Sequence, residues 1–115
     1  MRLTSEIFVA ALVRRVFGDG GFATVGRRGA EAAGAIFVVA RSRSGEFQLF
    51  GPAPQTLAAE GGERRFVREA ARDEDGLSQR LAREARFDPD FWVVEIETET
   101  PETYLEVVEP EGDDP

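Results

Sequence analysis

The chain contains no cysteine, histidine, lysine or asparagine, and this absence restricts how it can be stabilised and what chemistry it can perform. Without cysteine and histidine, neither disulfide bonds nor zinc-type sites can hold the fold together. A domain of 115 residues buries roughly 60–70% of its unfolded surface, which is enough for a stable core. The sequence therefore predicts a domain that is stabilised by packing alone.

The same absence removes most catalytic groups. Thiolate nucleophiles, imidazole bases and Schiff-base lysines all need missing residues. The serines have no histidine or lysine to activate them, so nucleophilic serine chemistry is discounted. Glycines cluster at residues 18–21 and 26–29, but a predicted helix precedes the first cluster and a strand follows it, which is the reverse of a phosphate-binding loop. We expect no cofactor.

The net charge of −8 conceals an asymmetry along the chain. Residues 1–86 carry a balance of +3, whereas residues 87–115 carry −11. We expect no nucleic-acid binding, because that affinity comes from cations that neutralise phosphates. The acidic end predicts a disordered tail over residues 109–115, after a single domain over residues 1–108. An acidic segment that docks on a basic partner is the alternative interpretation.

The apolar run at residues 7–13 has the character of a signal-peptide core. Arg14 and Arg15 end it, no small-residue cleavage site follows, and it is far shorter than the roughly 20 apolar residues that span a bilayer. We therefore expect a buried helix in a cytoplasmic protein without membrane contact.

Apolar residues at i, i+4 spacing predict a helix over about residues 5–17, capped by Thr4 or Ser5. Most of its circumference is apolar, which predicts that it is the central packed element. The one stripe predicted to face solvent runs through Glu6, Ala10 and Arg14. A second helix is predicted over about residues 75–86, with Asp73, Glu74 and Asp75 as its caps and first-turn charges. The Asp88-Pro89 pair ends it.

Alternating and β-branched segments predict the strands. These strands cover residues 22–25, 35–41, 46–50, 91–99 and an edge strand at 104–108, while residues 64–71 fit helix or strand and lean to strand. The order of the elements predicts an α+β fold, with an antiparallel sheet of about four to six strands and two helices packed on one face.

Three stretches of the sequence resemble a family of small bacterial proteins known as domain of unknown function 1491, or DUF1491. They are residues 27–38, 50–55 and 83–97, and the resemblance covers about residues 2–98. The family has no known activity. The resemblance therefore implies a single-domain cytoplasmic protein and carries over no catalytic residue.

Arginines supply the candidate binding residues. Arg27 and Arg28 stand between glycines, where their guanidinium groups match the geometry of anions, although an ordinary solvated turn has the same sequence. Arg86 is near Trp92 in the sequence and is predicted to stack on an aromatic ring, a packing role before a binding role. The candidate binding set is Arg27, Arg28, Arg83, Arg86 and Trp92.

One set of carboxylates is suited to acid–base or metal chemistry. It consists of Glu84, Asp88, Asp90 and Glu95. The first three lie on the end of the second helix and the turn after it, where they could converge as an Mg²⁺ site that holds a phosphate group requires. The structural interpretation is favoured. Asp88 and Asp90 flank a proline, where aspartates accept hydrogen bonds from nearby backbone, and Glu84 can pair with Arg80 or Arg83.

The first functional hypothesis is a small non-catalytic binding or scaffold protein that self-associates. Its partner would be a second copy of itself, in a homodimer, or another protein. It is motivated by the apolar strand Phe91–Ile96, followed by Tyr104–Val108, which together indicate a sheet edge that needs cover. One alternative is an Mg²⁺-dependent enzyme acting on a phosphorylated substrate, with Arg83 or Arg86 as the anion clamp. A second is an acidic nucleic-acid mimic that binds a basic protein.

Overall fold

The structure is a computed structural model that describes residues 3–54 and 64–109. Helix α1 spans Ser5–Gly18 and helix α2 spans Glu74–Phe87. The strands are β1 Phe22–Arg27, β2 Ile36–Arg41, β3 Phe47–Pro52, β4 Phe66–Arg68 and β5 Trp92–Glu97, and a 3₁₀ turn follows at Pro101–Thr103. The α+β class is confirmed. Most of the predicted tail, residues 110–115, lies outside the described residues, so the domain boundary stays a prediction.

Local signals set the helix ends. The Thr4 hydroxyl accepts a hydrogen bond from the Ile7 amide at 3.2 Å, which satisfies one of the free donors at the start of α1. Gly20 has a φ of 86°, a left-handed conformation that favours glycine and turns the chain from α1 into β1. Asp73 caps α2 by accepting from the Gly76 amide at 2.8 Å. Both helices therefore begin close to where the capping residues predicted.

The five strands form one mixed sheet in the order β1-β5-β2-β3-β4. Strand β5 is inserted between β1 and β2, antiparallel to β1 and parallel to β2. The β2–β3 and β3–β4 pairs are antiparallel. Parallel neighbours need a long connection, and the chain from β3 through α2 provides it. The sheet is thus mostly antiparallel with one parallel pair.

The two helices lie on opposite faces of the sheet, so the prediction that both pack on one face is wrong. Val38 belongs to the apolar cluster with α1, whereas its neighbours Phe37 and Val39 belong to the cluster with α2. Successive strand residues point to opposite faces. Because β2 and much of β5 are apolar at consecutive positions, both faces of the sheet need a cover, and each helix supplies one.

The predicted edge strand at Tyr104–Val108 is also wrong. After the 3₁₀ turn this segment makes a single bridge, between Phe66 and Val107. The Phe66 amide donates to the Glu106 carbonyl at 2.9 Å, and the Val108 amide donates to the Phe66 carbonyl at 2.8 Å. The segment therefore covers the outer side of β4. The uncertain residues 64–71 contain only the three-residue strand β4.

The apolar strand that suggested an exposed edge is β5, and it is the second strand in the sheet, between β1 and β2. Its hydrogen-bonding sides face β1 and β2, so this strand leaves no edge to cover. Within residues 3–54 and 64–109, the outer side of β1 is the sheet edge that has no strand or bridge beside it. In the same described ranges, neither helix is long and apolar enough to cross a bilayer.

Candidate functional site

Arg27 is a structural brace. A β-bulge between Val25 and Arg27 shifts the register against β5, so that Arg27 pairs with Val93 and turns toward the α2 side of the sheet. Its guanidinium lies 4.4 Å from the centre of the Phe91 ring. It donates from Nε to the Phe91 carbonyl at 3.2 Å and from Nη2 to the Pro89 carbonyl at 2.6 Å. These contacts fix the turn that leads into β5.

Arg28 and Trp92 lie on the α1 side. Trp92 is 1% exposed, and its Nε1 donates to the Ala30 carbonyl at 2.9 Å, so it is a core residue. The guanidinium of Arg28 lies 4.9 Å from the Trp92 ring and 3.3 Å from the Glu6 carboxylate. The stacking partner of Trp92 in this structure is therefore Arg28, not Arg86.

The glycines around these arginines serve close packing. A Cβ atom on Gly29 or on Gly34 would overlap the Asp90 carbonyl oxygen, because the β1–β2 loop lies directly on the turn before β5. The Ala30 amide donates to the same carbonyl at 2.9 Å. The loop is thus a packed element of the fold.

Arg83 and Arg86 are exposed on α2, on the other side of the sheet from Arg28. The five candidate binding residues therefore have separate roles and places. Arg27 supports a turn and Trp92 belongs to the core, whereas Arg28 is exposed on the α1 side and Arg83 and Arg86 are exposed on the α2 side. They do not form one site.

Three of the four carboxylates proposed for a metal have other partners, and the fourth residue, Asp90, is exposed. Glu84 accepts from Arg80 at 2.9 Å, as the structural interpretation predicted. Glu95 accepts from Arg41 at 3.3 Å. The side chain of Asp88 accepts from the Asp90 amide at 3.0 Å, closing the turn around the proline. Among the residues that the structure describes, no three acidic side chains are grouped as a metal site requires.

A surface that the sequence reading missed lies along α1 and β1. Four large apolar side chains are exposed there. Phe17 and Ile7 on α1 are 50% and 53% exposed, and Phe22 and Val25 on β1 are 49% and 36% exposed. The Phe17 and Phe22 rings meet edge to face, with their centres 5.7 Å apart. We call these residues, together with Ala10 and the outer side of β1, the α1–β1 face.

A groove of about 420 Å³ runs between the two elements of this face. Ala10 and Val13 of α1 form one wall, Val25 of β1 forms the other, and Trp92 lies beneath. The charged groups at its rim are Glu6, Arg14 and Arg28. The groove is apolar inside with opposite charges at its border, which is a typical composition for a binding surface.

The outer side of β1 has little protection. Its residues Phe22–Val25 contain neither charge nor proline, the features that usually prevent a sheet edge from pairing with another chain. The bulge at Gly26 and the charge of Arg27 limit the pairing stretch to these four residues. One signal for this surface was available in the sequence, because a helix that is apolar around most of its circumference has more apolar surface than one sheet face covers.

A larger cavity, of about 570 Å³, lies at the other end of β1. The Tyr104 hydroxyl donates to the Asp19 carboxylate at 2.7 Å, and this hydrogen bond is the main cause that raises the pKa of Tyr104 above 10.0. Glu99 accepts from the Arg43 amide at 2.7 Å. Since these polar groups already have partners in the chain, the cavity is a weaker candidate than the α1–β1 face.

The chain is similar to proteins of one family. A sequence model described as a protein of unknown function, DUF1491, matches residues 3–106. A protein from A. tumefaciens, solved in solution, is 52% identical, with a TM-score of 0.83 over 96% of this chain and 98% of that chain. A DUF1491 family protein from Caulobacter crescentus CB15, solved by crystallography, is 38% identical, with a TM-score of 0.76 over 94% of this chain and 99% of that chain. No curated protein matches the chain significantly.

Proposed function

This chain belongs to the DUF1491 family, as its motifs predicted, and we propose that it is a small non-catalytic scaffold protein that self-associates through the α1–β1 face. One observation supports this proposal above the others. The outer side of β1 is an uncharged strand edge without a neighbour in the described chain, and it lies directly beside exposed phenylalanine side chains.

Pairing two β1 edges would stabilise a dimer in two ways. The free backbone N–H and C=O groups of each strand gain partners, and the apolar side chains beside them leave water. Burial of apolar surface contributes about 25 cal/mol per Å². Phe17 and Phe22 are each half exposed, so both would contribute apolar surface to such an interface.

Helix α2 is a poorer surface for association. Its outer side carries Arg83 and Arg86, and an interface there would remove these charges from water at a cost in free energy. Phe87 is 85% exposed at the end of this helix, but single exposed apolar residues are normal on protein surfaces.

The chemistry of the described residues favours binding over catalysis. The chain has no histidine, lysine or cysteine, and Glu84, Asp88 and Glu95 are engaged in ion pairs or backbone hydrogen bonds. An acid–base catalyst needs a positioned group that can exchange a proton near neutral pH. These carboxylates instead serve the fold.

Light scattering at about 1–100 µM protein tests the proposal, a range in which a dimer of micromolar affinity would form. We expect a mass of twice 12.6 kDa at the upper end. Thr24→Lys should give a monomer, because Thr24 is exposed in the middle of the β1 edge and a lysine there repels its counterpart. The same substitution should leave the monomer folded, since Glu95 lies opposite Thr24 on β5.

Ser44→Lys is the matched control, because it adds the same charge in the exposed β2–β3 turn. It should leave the mass unchanged. A wild-type protein that stays monomeric throughout the range, or a Thr24→Lys variant that dimerises as the wild type does, would contradict the proposal.

A further inference from the structure

We infer that two copies associate around a two-fold axis through the α1–β1 groove, so that the α1 helices lie antiparallel and Glu6 of each copy pairs with Arg14 of the other. This inference rests on the proposed self-association. It identifies the partner as a second copy of this chain, and it identifies the charges that set the orientation of the two copies.

The sequence of α1 is self-complementary. Glu6, Ala10 and Arg14 are spaced by four residues and form one row along the helix. The row has an acid at one end, a base at the other and a small residue in the centre. When two such rows meet antiparallel with Ala10 at the axis, each glutamate faces an arginine. A parallel arrangement would place like charges together.

This row faces the correct direction for such a contact. Glu6, Ala10 and Arg14 all border the groove whose opposite wall is Val25 of β1. Helix α1 and strand β1 are joined by the three residues 19–21, so they run in opposite directions. A single two-fold axis therefore makes both the strand pair and the helix pair antiparallel, as an isologous interface requires.

The positions of α1 and β1 in the sheet are compatible with helix–helix contact in such a dimer. Helix α1 packs over both β1 and β5, and neighbouring strands are about 4.8 Å apart. The axis of a helix centred between these two strands is displaced from the axis of β1 by about 2.4 Å, toward β5. Two β1 edges that pair at strand spacing would then place the α1 axes about 10 Å apart, which is within the usual range for packed helices.

The charge of the groove also favours this place for contact. The whole chain has a net charge of −8, so two copies repel one another over most approaches. At the groove the rim holds two arginines and one glutamate. Glu6 already lies 3.3 Å from Arg28 of its own chain, so Arg14 of a second copy would complete a cluster of two bases around one acid.

Charge reversal provides the decisive experiment. Glu6→Arg and Arg14→Glu should each weaken self-association by about 10- to 100-fold, because two attractive pairs become repulsive in each homodimer. When the two variants are mixed, both pairs across the interface are again opposite in charge. The mixture should therefore form a heterodimer with an affinity near that of the wild type, measured by light scattering or sedimentation.

Asp75→Arg and Arg86→Glu are matched controls, since they reverse a first-turn acid and a last-turn base of α2 on the other side of the sheet. Both should dimerise normally. If Glu6→Arg disturbs the start of α1, the pair Glu6→Gln and Arg14→Gln replaces the reversals. Removing these charges should weaken the dimer and remove the loss of affinity with added salt that the two charge pairs contribute.

Two results would overturn the inference. One is a mixture of the reversed variants that remains monomeric although each is folded. The other is a reversed variant that dimerises like the wild type. If Thr24→Lys is monomeric in that second case, the chain self-associates through β1 with a different orientation. If the wild type itself is monomeric, the proposed self-association fails as well.

Discussion

The two faces of the sheet hold helices of equal length by different means. Helices α1 and α2 each have 14 residues. Helix α1 buries three apolar side chains, Val9, Leu12 and Val16, whereas α2 buries only Leu77. Apolar packing therefore holds α1 on its face of the sheet, whereas α2 needs additional contacts to stay on the opposite face.

Ion pairs supply these contacts on the α2 side. The side chain of Arg80 is 18% exposed and donates to Glu69 and to Glu84, both at 2.9 Å. The bond to Glu69 is the main cause that raises the pKa of Arg80 above its ordinary value. The guanidinium also lies 5.3 Å from the Phe37 ring. Helix α2, with its small apolar stripe, is thus also held by half-buried charges, and we expect its attachment to be sensitive to salt.

The same truncation on each face tests this comparison most directly. We expect Leu12→Ala to lower the free energy of unfolding by about 3–5 kcal/mol and Leu77→Ala by about 2–3 kcal/mol, because Leu77 has fewer buried neighbours to lose. Both leucines are almost fully buried, at 3% and 6% exposure. Urea unfolding with matched slopes gives both values. Equal losses would show that the two faces have equivalent cores, and no loss for Leu12→Ala would place α1 outside the core.

Glu69→Gln sharpens the comparison at the charged side. We expect a loss of about 1–2 kcal/mol, because Arg80 and Arg72 lose a charged acceptor in a half-buried position. The loss should shrink as salt is added, since screening weakens the wild-type pairs. Denaturant unfolding at low and high salt measures both effects, with Glu46→Gln in the exposed β2–β3 turn as the control. A loss that is independent of salt would indicate a packing role for Glu69.

The smallest effect concerns Tyr104, which lies at the edge of the α1 side. Its hydrogen bond to Asp19 raises its pKa in the folded protein above 10.0. The bond therefore stabilises the fold fully below pH 10.0, and its contribution is lost as the pH rises through the folded pKa. Ultraviolet titration isolates the signal because the chain has one tyrosine. Asp19→Asn should return the midpoint toward 10.0, and an unchanged midpoint would argue against the bond.

Local sequence signals were sufficient for much of the fold. The caps at Thr4 and Asp73 and the apolar spacing of α1 predicted both helices to within a residue or two. The contacts of Glu84 and Asp88 were also predictable, because an i, i+4 pair and an aspartate–proline turn involve only neighbouring residues. The family was recognisable from its motifs.

The sequence carries a signal for a sheet that is covered on both faces, which the predicted packing of both helices on one face did not use. The run Ile36–Ala40 is apolar at every position, which is typical of a strand buried on both faces. Arg27 and Arg28 look alike in the sequence, yet the bulge at Gly26 sends their side chains to opposite sides of the sheet. A one-residue change of register is defined by the pairing with a neighbouring strand, so the sequence of β1 alone does not reveal it.

By itself, the sequence determined the two helices and their ends, the positions of four of the five strands, and which catalytic groups are absent, because those properties depend on residue type and on neighbours within about one helical turn. Only the tertiary structure decided that β5 lies between β1 and β2, that the helices cover opposite faces, and that the outer edge of β1 has no neighbour among the described residues. Strand order depends on contacts between residues far apart in the chain. The competing arrangements share the same local preferences and differ only in how they bury the whole apolar surface.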